Sequence, residues 1–141
     1  MIIHIVNGPN LNLVGKREPE IYGNVSLDDH LGKLTAEFSD QVNIKLFQSN
    51  SEGVLLDYLQ EVGFDESVRI IINAGALGHT SLALGDCIRA ITAPVIDVHI
   101  SNVLARESFR QNSFVTPAAV GSISGLGLEG YRLAIDWFLR Q

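Results

Sequence analysis

Short runs of β-branched and aliphatic residues recur along this chain with amphipathic stretches between them, and that alternation limits the fold more than any other feature. Four runs stand out, Ile2 to Val6, Val42 to Phe47, Val68 to Ile72 and Pro94 to Ile100, and a weaker fifth spans Ala118 to Ile123. Continuous apolar runs of this length suit strands buried on both faces. The intervening segments carry helical spacing instead. Ser26 reads as an N-cap with Asp29 as its capping-box partner, followed by Leu27, Leu31, Leu34 and Phe38. A second helix from Ser51 places Leu55, Leu56, Leu59 and Val62 on one side and stops at Gly63. A third is expected from about Thr80 to Ile91, and a fourth through Tyr131, Ile135, Trp137 and Phe138 ends the chain.

Strand and helix thus alternate, which demands right-handed crossovers and a parallel sheet covered on both sides. The expected product is an α/β fold: a flavodoxin-like, doubly wound, five-stranded parallel sheet in three layers, with residues 1–141 forming one domain. At 141 residues, such a domain hides roughly two thirds of its unfolded surface without needing staples.

Composition narrows the partners. Hydrophobic residues make up 46% and charged residues 18%, a globular composition with apolar surface to spare for subunit contacts. A net charge of −6 and a pI near 5.0 argue against nucleic acid, whose binding rests on cationic contacts to phosphate. Cys87 is the only cysteine, so no internal disulfide can form. No stretch approaches the length of a membrane span, and MIIHIVNG lacks the basic leader of a signal peptide. The expectation is a cytoplasmic protein with no nucleic-acid or membrane partner.

In doubly wound sheets, ligands gather beyond the carboxyl ends of the strands, where strand order reverses. Those ends hold Asn7 and Asn10 after the first run, Gln48 and Asn50 after the second, Asn73 and His79 after the third, and His99 and Ser101 after the fourth. Each alone reads as a turn former or a satisfied polar group. Together on one rim, they suit a small, hydroxyl-rich ligand.

Other chemistries find less support. Gly125 to Gly130, GLGLEG, has the spacing of a dinucleotide fingerprint, but only eleven residues follow it, too few for the next strand and its acidic partner. Close packing of a tight turn explains it better. The histidines at 4, 30, 79 and 99 form no metal-ligand spacing. Cys87 has no base beside it and reads as a packing residue. The lysines, Lys16, Lys33 and Lys45, are poorly placed for Schiff-base chemistry. The residues themselves call for no dinucleotide cofactor and no metal.

The segment NGPNLNLVGKREPEIYG, Asn7 to Gly23, is far longer than an ordinary strand-to-helix connection. It is either an irregular connection or a lid over about residues 8–24, hinged near glycines, that carries Arg17 and Tyr22 to the polar rim.

Five segments, NGPNLNLVGKREPEIYG, QSNSEG, INAGALGHTSLAL, VHISNVLARESFR and GLGLEGYRLA, in this order and covering nearly the whole chain, resemble type II 3-dehydroquinate dehydratase. That family removes water from 3-dehydroquinate to give 3-dehydroshikimate, in the shikimate (aromatic amino acid) or quinate pathway. The resemblance implies a flavodoxin-like fold, a homo-oligomeric dodecamer built as a tetramer of trimers, and no metal or organic cofactor. It also implies roles. Tyr22 is the base that takes the proton next to the ketone, and Arg17 is the cation beside it. Asn10 holds the water that stabilises the enolate, and His99 protonates the departing hydroxyl. Asn73, His79, Asp86 from a neighbouring subunit, Ile100, Ser101 and Arg110 bind substrate, the amides of Ile100 and Ser101 meeting its carboxylate. Asp97 shares a strand face with His99 and supports it.

A phenol that titrates near 10 must be brought to near 7 to act as a base, roughly 4 kcal/mol, and a close cation supplies one to three pH units of this. Arg17, with Arg110 nearby, is the expected source. The chain departs from the family pattern at Ala74 (proline in many relatives), Gly78 (threonine), Gly85 (arginine), Asp97 (glutamate) and Leu104 (histidine). These departures bear on affinity and assembly. The rival readings are a non-catalytic module that binds a polar metabolite or a protein, and another cofactor-free lyase or hydrolase acting on a hydroxy acid.

Overall fold

Alternate residues of the first strand, β1 (Ile2–Asn7), enter two different cores, and that division sets the three layers. Ile3 and Ile5 join Ile71 and Val98 on one face, whereas Val6 joins Ile70, Ile72 and Val95 on the other. The computed structural model describes residues 1–16, 20 and 24–141. Strands β2 (Asn43–Gln48), β3 (Val68–Asn73), β4 (Val95–His99) and β5 (Gly121–Ser124) complete the sheet. All pairs are parallel, in the order β2-β1-β3-β4-β5, so strand order reverses between β1 and β3.

Helices α1 (Leu27–Glu37) and α5 (Glu129–Leu139) cover the first face, and α2 (Glu52–Val62) and α4 (Leu82–Ala90) the second. Leu31, Leu34, Ile135 and Phe138 fill one core, and Leu55, Leu59, Leu84 and Ile88 the other. Each such side chain, taken out of water, contributes about 1.5–3 kcal/mol. Extended serines start three of the helices. Ser26, Ser51 and Ser81 accept hydrogen bonds from the backbone N–H groups of Asp29, Val54 and Leu84.

The structure differs from the sequence expectation at two kinds of place. A short turn, α3 (Leu77–Thr80), lies before the third expected helix, and that helix, α4, starts at Leu82 rather than near Thr80, because Ser81 is extended and caps it. The edge strands are not buried on both faces, and Leu46 of β2 is 45% exposed, since the helices cover the middle of the sheet best. Strand β5 also begins later than expected, because Thr116–Ala118 forms a 3-10 turn.

One buried polar pair gives the fold a pH dependence. His4 on β1 lies against Tyr58 of α2, with a hydrogen bond of 2.7 Å between Nδ1 and the phenol oxygen. Burial, then the nearby Lys45, holds the His4 pKa below 6.5, while Asp65 and Glu61 oppose this. Burial and then Glu61 push the Tyr58 phenol up, so it stays protonated. A lowered histidine pKa makes protonation unfavourable in the folded state. Stability is therefore full above about 6.5 and declines as pH falls below it. Between pH 7 and 5, the thermal midpoint is expected to fall more steeply for the parent than for His4→Gln. Parallel midpoint curves would refute this source of acid sensitivity.

Candidate active site

The site is a cleft beyond the carboxyl ends of β1, β3 and β4, at the reversal of strand order. Asn10, Asn73, His79, His99, Ile100, Ser101 and Arg110 all line it, together with Arg106. Their convergence follows from topology, because parallel strands end on the same side and release their loops there.

The first wall leaves β1. Gly8 lies so close to Ala74 that an added Cβ would sit 2.4 Å from the Ala74 carbonyl oxygen, so only glycine lets the two strand ends meet here. Asn10 adopts the left-handed conformation, φ 68°, which asparagine tolerates better than most residues. Its backbone N–H donates to Asn50 Oδ1 at 3.0 Å. Gln48 Nε2 donates to that same oxygen at 3.1 Å and to the Gly8 carbonyl at 3.3 Å. Gln48 and Asn50 therefore brace the loop from behind. Leu11 and Val14 are buried in the first core, so the segment is anchored as far as Val14. Gly15 follows in the left-handed region. Arg17 and Tyr22 lie outside the described residues.

The second wall leaves β3. Asn73 is 4% exposed, and both ends of its amide are engaged. Oδ1 accepts the Gly75 N–H at 3.2 Å, and Nδ2 donates to Tyr131 Oη at 2.9 Å. Tyr131, on α5, donates its own hydrogen to Asn7 Oδ1 at 2.7 Å. Burial pushes that phenol far above its usual range, so the donor is permanent. With one Nδ2 hydrogen taken by Tyr131, the second is left for the cleft. Tyr131→Phe removes the shared hydroxyl and strands two buried amides, at about 1–3 kcal/mol each. Urea unfolding should show that loss, and an unchanged midpoint would contradict this network.

His79 stands on α3 and donates from Nδ1 to the Asn112 carbonyl at 2.7 Å, since a carbonyl can only accept. Its ring lies 6.0 Å from that of His99. Strand β4 delivers His99, 7% exposed, whose Nε2 donates to Asp97 Oδ2 at 2.9 Å. Asp97 is fully buried on the same strand face and accepts a second hydrogen bond from Thr116 Oγ1 at 2.5 Å. The imidazole is thus held by one nitrogen, and Nδ1 is the nitrogen left to work in the cleft.

Gly125 and Gly127 close the floor, donating their N–H groups to the His99 and Ile100 carbonyls at 3.1 and 3.0 Å. Both have positive φ, and the GLGLEG stretch is a tight turn seated on the end of β4. Ser124 Oγ adds a hydrogen bond to the Ser101 carbonyl at 3.2 Å.

The cationic side of the cleft comes from the segment after β4. Arg110 Nε donates to Glu107 Oε2 at 2.7 Å, and Arg106 Nη1 lies 3.5 Å from Ser101 Oγ. Glu107's own backbone N–H, and then the Arg110 guanidinium, hold its carboxyl below the usual range. Arg106 is a residue the sequence reading missed, although its place four residues before Arg110 on a loop leaving a strand was a visible signal. Asp86 does not line this cleft. It lies on α4, 68% exposed, with Arg89 3.5 Å away. Among the described residues, no three of His, Cys, Asp and Glu gather closely enough to hold a metal ion.

Comparison with known proteins decides the family. The family model described as dehydroquinase class II matches residues 1–139. The chain belongs to the class II dehydroquinase family. A 3-dehydroquinate dehydratase of Roseiflexus castenholzii is 50% identical over 99% of this chain and 88% of its own length. The 3-dehydroquinate dehydratase 1 of Agrobacterium fabrum is 50% identical over 95% of this chain and 92% of its own. The crystal structure of type II dehydroquinase from Butyrivibrio crossotus superposes with a TM-score of 0.94 at 40% identity, covering 100% of this chain and 98% of that one.

Within that family frame, the structure gives a physical setting to Gly85. A Cβ there would lie 2.5 Å from the Phe114 carbonyl oxygen. The missing side chain lets the 113–116 segment lie directly on α4, and the Phe114 N–H donates to the Gly78 carbonyl of the neighbouring α3 at 2.9 Å. Leu104, by contrast, is 68% exposed.

Proposed function

We propose that this chain dehydrates 3-dehydroquinate to 3-dehydroshikimate, a step of the shikimate or quinate route, by anti elimination through an enolate. The observation that carries the reading is the cleft itself. An imidazole fixed by a buried carboxylate, a doubly anchored asparagine amide and two arginines converge at the switch point of a chain whose relatives bear the dehydratase name.

The substrate is a carboxylate with a ketone and several hydroxyls, and the cleft offers a partner for each. Ser101 and the backbone at Ile100 and Ser101 receive the carboxylate, while Arg106 and Arg110 raise the local anion concentration on an otherwise acidic protein. The outward Asn73 Nδ2 hydrogen and the His79 ring receive hydroxyls. Tyr22, with Arg17 as its cation, removes the proton next to the ketone, the electrons pass to the ketone oxygen, and a water held at Asn10 stabilises the enolate. Collapse of the enolate expels the hydroxyl, which leaves as water after taking a proton from Nδ1 of the imidazolium form of His99, whose Nε2–H stays on Asp97. Solvent then returns a proton to Nδ1 and takes one from Tyr22. Removing a proton activated by the ketone before breaking the C–O bond keeps each barrier smaller than in a concerted loss.

The chain works as one domain in a homo-oligomer, read as a dodecamer that is a tetramer of trimers, in which the exposed Asp86 carboxylate serves a neighbour's cleft. Light scattering on purified protein tests the assembly. The setting is cytoplasmic. Among the described residues, no helix is long and apolar enough to cross a membrane.

The product is an enone and absorbs in the near ultraviolet. Mixing purified protein with 3-dehydroquinate should produce a growing absorbance. A flat trace from folded protein would reject the dehydratase in favour of a binding module, and turnover of other hydroxy acids alone would favour a different lyase.

A further inference from the structure

Three side chains on two separate segments line up behind His99, and taken together their partners leave one consistent direction for the hydrogen bonds. Ser113 Oγ accepts the backbone N–H groups of Val115 and Thr116 at 3.2 and 2.9 Å. Thr116 Oγ1 lies 2.9 Å from Ser113 Oγ and 2.5 Å from Asp97 Oδ2. Thr116 has one hydroxyl hydrogen. An ionised carboxylate can only accept, so that hydrogen goes to Asp97, and Ser113 must donate its own to Thr116. Asp97 Oδ2 then accepts the remaining hydrogen in the row, from His99 Nε2.

The other carboxylate oxygen sharpens the point. Asp97 Oδ1 is buried and has no hydrogen-bond partner among the described residues. The carboxylate is therefore fixed through Oδ2 alone, by Thr116 on one side and His99 on the other. Without Thr116, the imidazole would be its single hydrogen-bond partner among the described residues, leaving one bond rather than two to fix the rotation of the carboxylate about its Cβ–Cγ bond.

We propose that Thr116, oriented by Ser113, is a positioning residue for the reaction: it sets Asp97 so that His99 keeps its hydrogen on Nε2 and presents Nδ1 to the cleft. This rests on the dehydratase reading only for its kinetic consequence. The tautomer it specifies belongs to the unliganded protein. The device also explains why the 113–116 segment must lie close against α4, where Gly85 permits the approach.

The test is Thr116→Val, which keeps the shape and removes the hydroxyl, with Thr116→Ser as the conservative control and circular dichroism to confirm folding. In nitrogen-detected NMR of the unliganded protein, His99 should be a single Nε2–H tautomer in the parent and in Thr116→Ser. In Thr116→Val it should be a mixture. With 3-dehydroquinate, Thr116→Val should lose about ten- to a hundredfold in kcat, the usual scale for losing a partner that orients a working histidine, with KM within about twofold. Thr116→Ser should restore most of the rate. A folded Thr116→Val with an undisturbed tautomer overturns the proposal whatever the activity. A parent that shows the single tautomer but no turnover would reject the dehydratase reading while leaving the positioning role standing. Should Thr116→Val fail to fold, Ser113→Ala becomes the test. It should give the same tautomer mixture, and a single Nε2–H tautomer in folded Ser113→Ala would overturn the relay.

Discussion

His99→Ala is expected to lower kcat on 3-dehydroquinate by roughly two to four powers of ten, the range in which a positioned acid contributes. The loss should fall on kcat more than on KM, because the departing hydroxyl takes up charge only as the C–O bond breaks. The geometry supports a large effect. His99 has one nitrogen committed to Asp97 and one left for the cleft, so the substitution removes a proton donor whose position is fixed. The substitution also uncovers Asp97, whose carboxylate would then keep Thr116 as its only described partner. A modest loss of thermal stability should accompany the kinetic one. The fold itself should survive, since both cores are built from other residues. Steady-state kinetics on folded variant protein measures the effect, and turnover within tenfold of the parent would remove His99 from the role of acid.

Tyr22→Phe is the second substitution with a large expected effect, again roughly two to four powers of ten in kcat. Phenylalanine keeps the ring and removes the only group assigned to take the proton next to the ketone. Abstraction of that proton would become rate-limiting. A primary isotope effect from substrate deuterated at that carbon should therefore grow in the variant, while the parent shows a smaller one. This separates a lost base from a lost contact, which would raise KM and leave the isotope effect alone. Near-normal turnover in purified Tyr22→Phe would discard the base assignment.

The fold was legible because its signals are local. β-Branched runs, serine caps and helical spacing each act over a few residues, and the resulting strand order placed the cleft correctly at the carboxyl ends. The turn at Leu77–Thr80 was harder to see, because a single turn is too short to show helical spacing before the extended Ser81 caps the next helix. Edge-strand exposure was also hidden, since apolar content does not say which strand lies in the middle. Within the site, residues that line the cleft next to a strand end were readable from their place after an apolar run. Asn73, His99 and Ser101 are of this kind. Supports that come from elsewhere were not. Thr116 meets Asp97 across nineteen positions, and Tyr131 meets Asn7 across 124, so no local pattern joins them. Gln48 and Asn50 had the right address but turn inward to brace the first loop rather than outward to a ligand.

The most direct test of where the chemistry happens is a crystal structure of the protein with a stable mimic of the enolate bound. The ring should occupy the cleft, with its carboxylate at Ile100 and Ser101 and the atom standing for the departing oxygen about 3 Å from His99 Nδ1. A mimic that inhibits competitively yet binds outside the cleft, or lies in it with Nδ1 remote from that atom, would contradict the mechanism at its centre.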